Sequence, residues 1–165
     1  MKSVVWISAS VFLYGCVVVP VPLPAPAVQD QPTRAAASPA TSTASFTDLI
    51  NTYRADQGRG ALQQSQALTR AAQAHAEDMV ARGYFAHDAP NGPNGVTFSQ
   101  RAISAGCAMR VGAENIATGQ RTEQAVIDAW DSSAGHKRNM LGARYTQYGI
   151  GRAGDIWVLK LAAAC

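Results

Sequence analysis

Charge is scarce in this chain: Asp, Glu, Lys and Arg together make up 15% of its 165 residues, and the formal balance is only +3. The arginines stand singly, with no basic stripe interleaved with aromatics. That pattern excludes a surface built to neutralise nucleic-acid phosphates. Long apolar runs are also missing. The one near the start, Val4 to Tyr14, is too short to cross a bilayer. The zinc-protease pattern H-E-x-x-H is absent: Glu77 follows His75 by two residues, on a different helix face, and position 79 is Met. No Gly-x-Ser-x-Gly elbow surrounds Ser132 or Ser133. There are no internal repeats.

Cysteine is sparse and odd in number, at three. Lys2 supplies a positive n-region, the short apolar run follows, and Leu13-Tyr14-Gly15-Cys16 has the form of a lipoprotein cleavage box. Residues 1–16 are therefore expected to be a signal peptide ending at an acylated Cys16. Tyr14 departs from the small or β-branched residue usual at its place, so a plain secretory signal with Cys16 unmodified is the rival. Val17, not an acidic residue, follows the cysteine, which points to the outer membrane in a diderm cell. Acylation leaves Cys107 and Cys165, both in an oxidising compartment where a disulfide persists. Two unpaired buried thiols are the alternative. Residues 17–44 hold Pro20, Pro22, Pro24, Pro26, Pro32 and Pro39 among Ala, Ser, Thr and Val. Such a segment buries too little apolar area to offset its ordering entropy, which predicts a disordered, partly polyproline-like tether.

Residues 45–165 then form the domain. Phe46, Leu49, Ile50 and Tyr53 recur at helical spacing, with Ser45 and Asp48 as a capping box and Gly58 and Gly60 as the stop. A second helix starts near Ser65 and stops at Gly83, with Leu68, Ala71, Ala72, His75, Met79 and Val80 lining one face. The spacing of His75 makes it a packed core residue. A loop rich in Pro, Asn and Gly follows, from Asp88 to Gly95. Thr97 and Gln100 open a short helix ending near Gly106. Residues 109–117 read as extended or irregular, and Thr122 to about Ser132 as a helix that buries Val126, Ala129 and Trp130. Gln147–Ala153 and Asp155–Ala162 read as two strands joined at Gly154, the last apolar on both faces.

Three residues stand out as carriers of chemistry: His87 in Tyr84-Phe85-Ala86-His87, Glu114 in Glu114-Asn115-Ile116-Ala117, and His136 in Ser133-Ala134-Gly135-His136. The two histidines are expected in loops, where functional side chains concentrate. Neutral imidazoles suit zinc or copper, and a carboxylate can orient an imidazole or a bound water.

These segments, in this order, resemble the CAP superfamily (cysteine-rich secretory proteins, antigen 5, pathogenesis-related 1 proteins), in its small bacterial SCP-domain form. The likeness runs from about Phe46 to the C-terminus. It implies an α+β fold, an α-β-α sandwich with a small antiparallel sheet between helical layers. It implies a pocket of His87, Glu114 and His136. Many relatives place a second Glu three residues after the helix Trp; here that position is Ser133, so the pocket has one carboxylate. His87 and His136 are the expected metal ligands, zinc the expected ion if any, and Glu114 and His136 the candidates for catalysis. The missing carboxylate favours an extracytoplasmic binding module over an enzyme. Its expected partners are a small-molecule, lipid or cell-wall ligand, with the membrane reached through Cys16 and no nucleic acid. A metal-assisted hydrolase and a structural envelope protein with a vestigial pocket are the alternatives.

Overall fold

The computed structural model describes residues 44–165, so the expected leader, Cys16 and the tether before Ala44 lie outside the described residues. Helix α1 (Phe46–Asp56) opens on Ser45, whose hydroxyl and backbone exchange hydrogen bonds with Asp48 as the capping box requires. Strand β1 (Gln63–Gln64) leads into α2 (Gln66–Arg82), capped by Ser65 and stopped by Gly83 in the left-handed region at φ +66°. Helix α3 (Phe98–Ser104) starts at the Thr97–Gln100 capping box. Then come β2 (Gly112–Thr118), α4 (Glu123–Asp131), α5 (Ala134–Met140), β3 (Gln147–Ala153) and β4 (Ile156–Ala162).

The strands form one sheet in the order β1-β3-β4-β2. The three long strands pair antiparallel, as expected. Two residues of β1 add in parallel to β3, so the sheet as a whole is mixed. Alternation along β4 sorts the two layers. Trp157, Leu159 and Leu161 face a core made with Phe46 and Ile50 of α1, Val126, Ile127 and Trp130 of α4, and Met140 of α5. Val158 faces Ala72, Ala76 and Met79 of α2, together with Ile116. Helices therefore cover both faces, and β4 is buried between them.

The α2 layer sits unusually close to the sheet. A side chain on Gly149 would run into the backbone at Leu68 and Thr69, and one on Gly151 into the backbone at Ala72 and Gln73. Glycine at alternate positions of β3 lets the helix backbone descend onto the strand. That descent carries His75 to the sheet surface, where it is fully buried.

One expectation about local structure changes. His136, after Gly135, is expected in a loop. The structure places α5 there, with Met140 buried in the core at its end. Arg54, itself buried, donates to the Met140 carbonyl at 2.5 Å and the Gly60 carbonyl at 2.8 Å, tying the end of α5 to the end of α1. Tertiary anchoring overrides the weak local propensity. Cys107 is bonded to Cys165, which fastens the last residue of the chain to the segment after α3. Among the described residues no helix is long and apolar enough to cross a membrane.

Candidate functional site

The site is built around Glu114 at an edge of the sheet. β2 is an edge strand, and Glu114 lies directly across from Lys160 of β4. Both side chains point to the α2 layer, and both are buried. The Lys160 ammonium donates to Glu114 Oε2. Arg101, from α3 and only 3% exposed, donates Nη2 to both carboxylate oxygens at 3.2 and 3.1 Å. His87 completes the set, with Nδ1 3.0 Å from Oε1.

Four hydrogen bonds therefore converge on one carboxylate. Burial alone would raise its pKa. The His87 hydrogen bond and the Lys160 and Arg101 charges overcome that and pull it down to about 2. Glu114 is thus ionised at any physiological pH and can only accept. It follows that His87 Nδ1 carries the proton and donates, which leaves Nε2 of the neutral ring as the outward acceptor. The His87 side chain is 53% exposed, so that acceptor faces solvent.

The backbone around His87 is held as firmly as its ring. Arg101 Nη2 donates to the His87 carbonyl at 2.6 Å, and Nη1 to the Val96 carbonyl at 2.5 Å. One guanidinium thus joins the loop after α2, the loop before α3 and the carboxylate on β2. His75 adds a further tie: Nε2 lies 3.1 Å from the Ala86 carbonyl, an acceptor, so Nε2 bears the proton. Its Nδ1 is buried without a partner. Burial pushes the His75 pKa down to about 4, with Arg101 and Lys160 working in the same direction against the opposing pull of Glu114. His75 is neutral and part of the frame. Its ring lies 3.8 Å from Glu114, beyond hydrogen-bond reach.

His136 reaches the same edge from the opposite layer. It is the third residue of α5 and half-buried, not a loop residue. Asn115, next to Glu114 on β2 and pointing to the other face, donates to the His136 carbonyl at 3.0 Å. Asn139 supports it, with Nδ2 2.8 Å from Asn115 Oδ1. Successive residues of one edge strand therefore hold the two histidine segments, Glu114 on one side and Asn115 on the other. Burial lowers the His136 pKa, and the neighbouring His87 lowers it further.

Ser133 caps α5 without a side-chain hydrogen bond to it and is half-buried. Asp131 is turned away: it accepts from Tyr53 at 2.5 Å and pairs with Lys137 at 2.8 Å. Trp130 is a core residue whose indole N–H donates to the Ile116 carbonyl. A cavity of about 590 Å³ lies elsewhere, lined by Leu49, Ile150 and Trp157 among others.

Sequence reasoning missed Arg101 and Lys160. Lysine in the apolar run Ile156-Trp157-Val158-Leu159-Lys160-Leu161 was a visible signal, because a buried lysine demands a partner. Arg101 gave none, being one arginine among several on short amphipathic helices.

Comparison with known proteins bears on the fold and the family. An uncharacterized protein of Bacillus subtilis (strain 168), YkwD, is 35% identical over 127 residues, 76% of this chain and 48% of that protein. The crystal structure of an extracellular protein containing a SCP domain from Bacillus anthracis str. Ames matches with a TM-score of 0.67 and 27% identity, over 71% of this chain and 38% of that one. An outer surface protein of Borrelia burgdorferi shares the fold, with a TM-score of 0.63 and 21% identity, over 70% of this chain and 87% of that one. This chain thus spans about half the length of the Bacillus subtilis relative, and less of the Bacillus anthracis protein. The cysteine-rich secretory protein profile matches residues 47–156, and the chain belongs to that family, CAP.

Proposed function

We propose that this domain is an extracytoplasmic binding module whose ligand seat is the cleft edge between His87 and His136. The observation that carries the reading is the 3.0 Å bond from His87 Nδ1 to a carboxylate that is itself clamped by Arg101 and Lys160. An exposed imidazole is held in one tautomer with its acceptor nitrogen outward, by groups that are buried. Fixing an exposed side chain this way costs its rotamer entropy and serves recognition more directly than folding. The ligand is a small molecule, lipid or cell-wall fragment that offers a donor to Nε2.

A divalent ion is one such ligand. The two imidazoles fit zinc, but Glu114 does not, because its oxygens are occupied by cationic donors. Among the described residues no three His, Cys, Asp or Glu gather as a metal set. Two protein ligands make an open, weak site. Zinc there would supply Lewis-acid polarisation of a ligand oxygen, while Glu114 would act only by orienting His87.

Location outside the cytoplasm rests on the signal-like first 16 residues and on the likeness to an extracellular protein of Bacillus anthracis. Attachment through Cys16 extends that reading. Loss of palmitate labelling in Cys16→Ser tests it, and equal labelling of the variant refutes it.

A hydrolase is the second reading, favoured by the same pairing. A histidine oriented by a carboxylate is a general base, and here Nε2, not Glu114, would take the proton from water or from a nearby hydroxyl. The test follows the imidazole resonances of His87 and His136 by NMR during titration with zinc, and separately with peptidoglycan fragments. Saturable shifts lost in His87→Ala and in His136→Ala support a binding seat. Turnover of a peptide or peptidoglycan panel, lost in the same variants, selects the hydrolase. Binding unchanged in both variants, or no response at all, overturns the seat and leaves the structural envelope role.

A further inference from the structure

Arg101 has a second side. Its two Nη atoms serve Glu114, His87 and Val96, but its Nε is buried with no partner in the structure. Leaving a buried charged donor unpaired is unfavourable. Arg101 also lines a cavity of about 230 Å³ between α2 and α3, with Arg70, Ala71, Ala74, Asn94 and Ser104. The only charged residues in that lining are the two arginines. Arg70 spends one N–H on the Ala105 carbonyl at the end of α3, at 3.0 Å. No hydrogen bond to the Asn94 amide or the Ser104 hydroxyl occurs among the described residues, which leaves both free to bind.

The charge balance behind the cavity points the same way. Arg101 and Lys160 share a single carboxylate, Glu114, and all three are buried. The cluster therefore keeps one positive charge in excess, within a part of the protein where charge is poorly screened. A cavity lined by two arginines and no carboxylate, beside a buried cluster with positive charge in excess, is a seat for an anion.

We propose that the α2–α3 cavity binds a small tetrahedral oxyanion of the phosphate class, held by Arg70 and Arg101 with Asn94 and Ser104 as neutral donors. The cavity is distinct from the histidine seat but is joined to it through Arg101, which spans the two. An anion there balances the excess charge.

The test is calorimetric titration of the full-length protein with inorganic phosphate at constant ionic strength and neutral pH. Methyl phosphate forms a second arm, separating a free ion from phosphate carried on a larger molecule. One saturable site is expected in at least one arm. Arg70 is exposed on α2, so Arg70→Ala should leave folding intact and weaken binding about tenfold, the loss of one charge-assisted contact. Ala74→Leu should abolish binding by filling the cavity without changing any charge. Circular dichroism melts confirm that both variants fold. A response to phosphate no greater than to chloride at matched ionic strength overturns the proposal as mere screening. Saturable binding equal in wild type, Arg70→Ala and Ala74→Leu places the ion elsewhere and overturns it too.

Discussion

Glu114 and Lys160 stand opposite one another on adjacent strands and form an ion pair buried from solvent. The pairing is not one to one, because Arg101 holds the same carboxylate. Burial depresses the Lys160 pKa to about 8, against the opposing attraction of Glu114 and with the help of Arg101. The lysine is thus the less well compensated member, and the glutamate is the one on which the cluster depends.

That asymmetry is measurable. Glu114→Gln leaves two buried cations without a counter-charge and should cost about 3 to 5 kcal/mol in urea unfolding, as breaking a buried ion pair does. Lys160→Met leaves Glu114 with Arg101 and His87 and should cost clearly less. The double variant should be more stable than Glu114→Gln alone. Equal losses from both single substitutions would show that Lys160, and not Arg101, is the essential partner.

Acid should destabilise the domain in two steps. His75 has a folded pKa near 4 against an ordinary 6.5, so below 6.5 the unfolded chain takes up a proton that the folded one refuses. Stability falls with pH through that window, by at most roughly 3 kcal/mol. Glu114 has a folded pKa near 2 against an ordinary 4.5. Its contribution is whole above 4.5 and is lost as pH falls toward 2. Urea midpoints measured against pH check this. In His75→Met the limb between 6.5 and 4 should flatten, and its persistence would assign that limb to another group.

Gly149 tests the close approach of α2. A methyl group there meets helix backbone, which no rotamer change relieves. Gly149→Ala should cost about 2 to 3 kcal/mol through overpacking. Gly60→Ala, where an added Cβ meets nothing within 4 Å, should be nearly neutral. Thermal melts of the two variants make the comparison. Similar melting temperatures would mean that the helix can retreat without loss.

The Cys107–Cys165 bond closes a segment with a sequence separation of 58. In the chain-entropy model such a loop gives about 4 kcal/mol, by restricting the unfolded chain. Cys165→Ser, at an exposed position, should lower the urea midpoint accordingly. An unchanged midpoint under oxidising conditions would show that the terminus is held by Thr146 and Gln147 instead, through their contacts with Ala163 and Cys165.

Much of this molecule was legible before folding. Capping residues marked α1, α2 and α3, and the glycines at 58 and 83 marked helix ends, because caps and left-handed stops are local chemistry. The spacing of His75 on an apolar stripe placed it in the core. Helix α5 was not legible, because its residues favour a turn in isolation and only the burial of Met140 and the Asn115 bond select a helix. The parallel pairing of β1 was hidden for a similar reason: two residues carry no periodicity.

By itself, the sequence marked α1 to α4 and the last two strands, and offered Cys107 and Cys165 for a bridge and three residues as candidates for chemistry, since each follows from local preference or residue type. Only the tertiary structure decided what Glu114 does. Its register against Lys160 and the reach of Arg101 from another helix turn a free carboxylate into a charge-saturated anchor for His87. Those contacts join residues far apart in the chain, and a side chain's acidity and hydrogen-bonding role depend on the charges around it in space, not on its neighbours in sequence.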